Sequence, residues 1–158
     1  LLTDIPEMPI APDRVNAELI DRPRRWDISY IRKFMLTFGL ISSVFDYLTF
    51  GVLIWLFQAT PEQFRTGWFV ESVVSASMIV LVIRTRRSFV KSPPSLFLVA
   101  STAGVIILTI SLPYLPIASP FGLTPLPLLF VMVLAVILTG YVLTAEMAKG
   151  YFYGNGRV

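Results

Sequence analysis

Four long, nearly uncharged apolar runs constrain this chain more than any other feature. They fall at about 34–57, 67–83, 96–112 and 126–145. About 20 apolar residues rising 1.5 Å each match a hydrocarbon core about 30 Å thick. Within lipid an isolated segment can satisfy its own backbone hydrogen bonds only as a helix. The expected fold is therefore an all-α membrane protein with four complete transmembrane helices, preceded by the end of another. Composition agrees, with 55% hydrophobic and 15% charged residues, against about 25% charged in soluble domains.

The segments between the runs give the organisation. Residues 1–10, LLTDIPEMPI, read as the end of a helix that Pro6 and Pro9 terminate. Residues 11–33 form a basic loop carrying Arg14, Arg22, Arg24, Arg25, Arg32 and Lys33. The four-helix region spans 34–147, and 148–158 is a short tail expected to fray. The first two spans, joined by a connection at 58–66, make a membrane hairpin. Arg84, Arg86, Arg87, Lys91, Pro93 and Pro94 mark the next loop, and a proline-rich turn at 113–127 precedes the last span. Six basic residues in the first loop, four at 84–94 and two in the tail lie on one side, with Arg65 alone opposite. That asymmetry puts both ends in the cytoplasm. Leu1 is not Met and lies in an apolar stretch without a signal-peptide start, so the chain is expected to be the C-terminal piece of something longer.

Composition also excludes chemistry. With no Cys and no His, disulfides, thiolate or imidazole catalysis and the usual zinc ligands are absent, and any cation must be held by oxygen. The sequence has no glycine-rich phosphate loop. Net charge is +3, but the basic residues sit in loops where topology accounts for them, and no nucleic-acid partner is expected.

Ionisable groups at membrane depth cost about 2.5–3.5 kcal/mol each on insertion scales, so each calls for a partner or a task. Asp46 shares a helical face with Ser42, Ser43 and Thr49. It reads either as a cation or proton site or as an interhelical hydrogen-bond clamp, with small residues at Gly39 and Ser43 permitting close approach. Glu71 lies one turn inside the second span with Ser72 and Ser75 beside it, a set that suits a hard cation but could equally reach interfacial water or a basic side chain. Asp4, next to Thr3 and two residues before Pro6, sits where helix regularity is lost. Thr139, Gly140 and Thr144 read as packing residues.

The stretches LLTDIPEM, RRWDISYIRKFM, ISSVFDYLTFG, TGWFVESVVSASMIVLVIRTRR and LPYLPIASPFGLTPLPLLF together cover nearly the whole chain. In these the chain resembles the C-terminal membrane part of a P-type cation-transporting ATPase of the bacterial magnesium-transporting branch. The resemblance implies that residues 1–10 end a sixth helix and that the four spans are the seventh to tenth. It implies that Asp4 is an ion ligand, that Thr3 adds an oxygen, and that Glu71 in the eighth helix is a further metal ligand. Magnesium is then the transported ion, and accompanies ATP in domains outside this chain. The implied partners are membrane lipid, the N-terminal part of the same pump and a divalent cation, in a multi-pass plasma (inner) membrane protein. The 158 residues by themselves are expected to be catalytically silent. Two other readings remain: a self-contained four-helix membrane subunit or scaffold, and a small carrier using Asp46 and Glu71 as a relay.

Overall fold

The computed structural model describes residues 2–8, 28–84 and 94–154. Four long helices carry the fold: α1 (Ile28–Gly51), α2 (Pro61–Ile83), α3 (Leu96–Ser111) and α4 (Leu128–Gly154). Counting their irregular ends, all four are long and apolar enough to cross a membrane, the shortest at 19 residues. The described residues contain no strand.

Local chemistry sets the helix ends. Thr60 caps α2 by accepting from the Gln63 N–H while the Gln63 side chain accepts from the Thr60 N–H, with Pro61 at the first helical position. Ser95 accepts from the Leu98 N–H to start α3. At its far end α1 widens into a π turn, Val52–Leu56, where the Phe57 N–H donates to the Val52 carbonyl at 3.1 Å. Pro113 ends the α-helical geometry of α3, and the chain passes through two short 3-10 turns, Leu112–Tyr114 and Pro116–Phe121. Gly122 closes the second turn at φ 63°, a left-handed backbone that glycine adopts without a Cβ clash.

Helix α2 is the hub, packing against α1, α3 and α4, while α1 also lies along α4. Over half of its most apolar stretch is buried within the molecule, against 11% for α1. The main core joins Leu53, Val70, Val74, Leu126, Phe130, Leu134 and Leu138, with Phe57 edge-on to Phe130 at 5.5 Å between ring centres. A smaller cluster of Phe38, Val82 and Ala145 ties α1, α2 and α4 near their other ends. Leu40, Val44 and Leu48 on α1 and Leu128, Met132 and Val136 on α4 are exposed at four-residue spacing, leaving apolar stripes suited to lipid. Hydroxyls in the spans turn back to their own helix: Ser77 to the Val73 carbonyl, Thr139 to Ala135 and Thr144 to Gly140.

The proline-rich connection is pinned at the α2 N-terminus. Arg65 donates through Nε and a terminal nitrogen to the Gly122 carbonyl. The Thr66 hydroxyl donates to the Glu62 carbonyl and accepts from the Thr124 N–H. Tyr114 closes the same loop by donating to the Leu126 carbonyl at 2.8 Å.

Several boundaries differ from the sequence reading. Helix α1 begins at Ile28, so Arg32 and Lys33 ride on its first turns instead of in a loop. Helix α2 begins at Pro61, six residues early, because the Thr60 cap and Pro61 outweigh the polarity of Glu62 to Arg65. Helix α4 runs to Gly154, through residues expected to fray, because Tyr30 and Phe34 pack on Phe152 and Lys149 is buried against α2. Gly39 and Ser43 are exposed, and a Cβ at Gly39 would meet nothing within 4 Å. Close approach occurs instead at Gly67, against Leu53 and Phe130, and at Gly140, against Phe45. The expected loops at 11–27 and 85–93, and the last residues of the tail, lie outside the described residues.

Candidate functional site

Two groups of residues carry the polar chemistry. The first is the stub at 2–8, which forms turns: the Asp4 carbonyl accepts from the N–H groups of Glu7 and Met8 at 3.1 and 3.2 Å. Pro6 is buried, whereas the Asp4 side chain is exposed. The Thr3 hydroxyl donates weakly to Asp4 Oδ1 at 3.5 Å. Thr3 and Asp4 thus lie side by side in a stretch of turns, and the described residues of the stub do not show the helix end expected there.

The second group lies inside the bundle, on α1, α2 and α4. Glu71 is only 1% exposed. It projects from the buried face of α2, one turn before Ser75, and the Asp46 carboxyl of α1 comes within hydrogen-bonding reach of it. Ser72 and Ser75 bring hydroxyls to the same carboxyl. Tyr141 of α4 closes the group: it is 4% exposed, lies close to both carboxyls and to the Ser42 hydroxyl, and packs edge-on against Phe45 at 5.5 Å. A cleft of about 360 Å³ runs alongside, with Ser42, Asp46, Ser72, Ser75 and Tyr141 as its polar wall and Phe34, Phe38 and Ile79 among its apolar wall.

The electrostatics of this group are unbalanced. Two carboxyls face one another, no Lys or Arg lines the cleft, and no hydrogen-bond donor reaches Glu71 Oε2 although the atom is buried. Two like charges about 4 Å apart repel by about 4 kcal/mol at an effective dielectric of about 20. A proton shared between them, a positive charge or hydrogen-bond donors relieve that repulsion. The donor set is oxygen alone, which suits hard cations such as magnesium or calcium.

The structure therefore brings Asp46 and Glu71, which sequence analysis treated as separate candidates, onto one another. It does not add Asp4 to them, since no group of three or more carboxylates assembles among the described residues. Tyr141 escaped the sequence reading; its signal was a phenol in the middle of an otherwise apolar run. Lys149 escaped as well. It is 1% exposed, donates to the Val82 carbonyl at 2.9 Å and pairs with Glu146 at 2.8 Å, and the three-residue spacing from Glu146 was its signal.

Comparison with known proteins adds to this geometry. Residues 1–151 match the family described as cation transporting ATPase, C-terminus. The chain is 41% identical over 157 residues to the magnesium-transporting ATPase, P-type 1, of Salmonella typhimurium strain 14028s, an alignment covering 96% of this chain and 17% of that protein. It is 42% identical to the protein of the same name from Escherichia coli K12, covering 96% and 18%. A further such ATPase, from Salmonella typhimurium strain LT2, is 32% identical over 96% of the chain and 17% of its own length. The chain thus spans about a sixth of the length of these relatives.

Proposed function

The chain belongs to the cation-transporting ATPase C-terminal family, and on that premise we propose that it is the C-terminal membrane part of an ATP-driven magnesium transporter. The observation that carries this reading is the match itself, which runs from the stub through all four spans at about two residues in five identical to magnesium-transporting ATPases. The helical bundle with its lipid-suited outer faces is consistent with it.

In this reading Asp4 is an ion ligand, Thr3 supplies a hydroxyl oxygen next to it, and Glu71 is a further carboxylate turned to the ion. Magnesium is the cargo. Its small radius and reluctance to shed water favour a site of few carboxylates and retained waters, which suits the exposed Asp4 carboxylate beside the Thr3 hydroxyl. Helices α1 to α4 brace the transport helices, with α2 holding the bundle together. Phosphorylation by ATP takes place in domains outside this chain, and moves the membrane helices between states of different ion affinity. The protein sits in the bacterial plasma membrane, and the twelve-to-one distribution of basic residues between the two sides puts both ends of the chain in the cytoplasm.

The test is magnesium-dependent transport and phosphoenzyme turnover in the full-length protein carrying Asp4→Asn. The magnesium concentration for half-maximal response is expected to rise about tenfold or more, as befits removal of one charged ligand. An unchanged concentration dependence removes Asp4 from the ion site.

A further inference from the structure

We propose that the cleft between α1 and α2 seats a transmembrane helix contributed by the part of the pump that precedes this chain, and that this helix brings a hydrogen-bond donor to the level of Asp46. The assignment rests on the pump reading, which supplies that helix, and says where α1 and α2 brace it.

The cleft is a groove that follows both helices. Phe34, Phe38, Ser42 and Asp46 line its α1 side at four-residue spacing. From Phe34 to Asp46 is about 18 Å, or about three helical turns, a length suited to one row of side chains from a packed helix. On the other side, α1, α3 and α4 pack around α2 and leave Ser72, Ala76 and Ile79 partly exposed to the groove.

Lipid does not match these walls. Asp46 lies near the middle of the span Ile28–Leu56 and is only partly buried, and an ionisable side chain at membrane depth belongs against protein or water. Ser42 and Ser72 put hydroxyls at the same end of the groove, where hydrocarbon offers no hydrogen bond. A helix does match. Ser42, Ser72 and Ala76 are small and let a backbone come close to both walls. No basic side chain lines the groove, so a donor for Asp46 from outside this bundle has to come with the occupant. Toward Phe34, Phe38 and Ile79 the occupant presents apolar side chains. The exposed stripes Leu40, Val44 and Leu48 of α1 and Leu128, Met132 and Val136 of α4 give a second copy no such donor. The preceding part of the pump is the available source: the matched family is described as a C-terminus, and the chain spans about a sixth of the length of its relatives.

The experiment is photocrosslinking in the full-length protein in membranes. The photoreactive residue p-benzoylphenylalanine is placed singly at Ile79 and at Phe34 in the groove, and at Val44 and Val136 on the lipid-suited stripes, and the products are mapped by mass spectrometry. Both groove positions are expected to crosslink, within one molecule, to an apolar segment ahead of residue 1, and the stripe positions to give phospholipid adducts. The segment reached from Ile79 should carry a donor side chain about two turns from the crosslinked residue, at the level of Asp46. If neither groove position reaches such a segment, and the products are phospholipid adducts, a second copy or this chain alone, the proposal is overturned. A crosslinked segment without a donor at that level overturns the chemistry assigned to the occupant. Phe34 keeps an aromatic ring on substitution, so a folding defect at Ile79 leaves the test standing. Magnesium-dependent phosphoenzyme formation by the unsubstituted protein reads the pump assignment separately, so failure of that reading and failure of the groove assignment are distinguishable.

Discussion

A methyl group added at Gly67 would come within 2.9 to 3.1 Å of the Leu53 Cδ atoms and Phe130 Cζ. Both neighbours are 1% exposed and have no room to retreat, so Gly67→Ala overpacks the junction of α1, α2 and α4. Overpacking of this kind costs about 1–3 kcal/mol, and thermal unfolding in detergent should show a lowered midpoint. Gly39→Ala, where nothing lies within 4 Å, should leave the midpoint unchanged. A matching unfolding result for the two variants would contradict this packing. Lys149 provides a second single-residue case. Its ammonium satisfies a carbonyl near the end of α2 and pairs with Glu146 on its own helix, where the helix dipole favours positive charge. Lys149→Met keeps the stem and removes both interactions, with an expected loss of about 1–3 kcal/mol by the same assay. A midpoint equal to that of wild type would mean that the ammonium is well solvated in the membrane-bound protein. In the sequence Lys149 counts only as one of the two basic residues of the 148–158 tail, because burial against another helix leaves no trace in local composition.

At the scale of elements, the loop between α3 and α4 depends on α2. Arg65 grips the Gly122 carbonyl, Thr66 holds the Thr124 N–H, and the loop itself has only short 3-10 turns of its own. Arg65→Ala should therefore raise hydrogen-deuterium exchange across 115–124 while leaving the middle of α3 protected. Uniform exchange changes in both segments, or none in either, would argue against a local latch. The start of α2 has a similar logic: Thr60→Ala opens the capping box and should cost about 0.5–2 kcal/mol. Both features were partly legible. Thr60, Pro61 and Gln63 form a helix-start signature that hydropathy overrode in the sequence reading, which delayed the second span to residue 67. The π turn at Val52–Leu56 did not figure in the sequence reading; it holds Leu53 against Gly67.

For the molecule as a whole, the orientation in the membrane is the property most directly open to test. The chain has no cysteine, so a cysteine introduced into it is its single thiol, and labelling is read against the protein without that substitution. Ser119→Cys, exposed in the α3–α4 connection, should react with a membrane-impermeant maleimide in intact spheroplasts. Ser92→Cys, in the loop after α2 by sequence, should react only after permeabilisation. The reverse pattern would invert the topology. Hydropathy carried the number of spans almost unaided. Four runs long enough to span need no knowledge of contacts, because lipid acts on each segment separately and leaves a helix as the only way to satisfy its backbone. The sequence by itself therefore determined that the chain is a membrane bundle, how many spans it has, and that Asp4, Asp46 and Glu71 are the acids to be explained. Only the tertiary structure decided that Asp46 and Glu71 meet, that Tyr141 joins them, and that Asp4 stays outside their group. The reason is physical: which faces of separate helices touch depends on shape complementarity among side chains far apart in the sequence, and a periodic pattern within one helix carries no record of its neighbours.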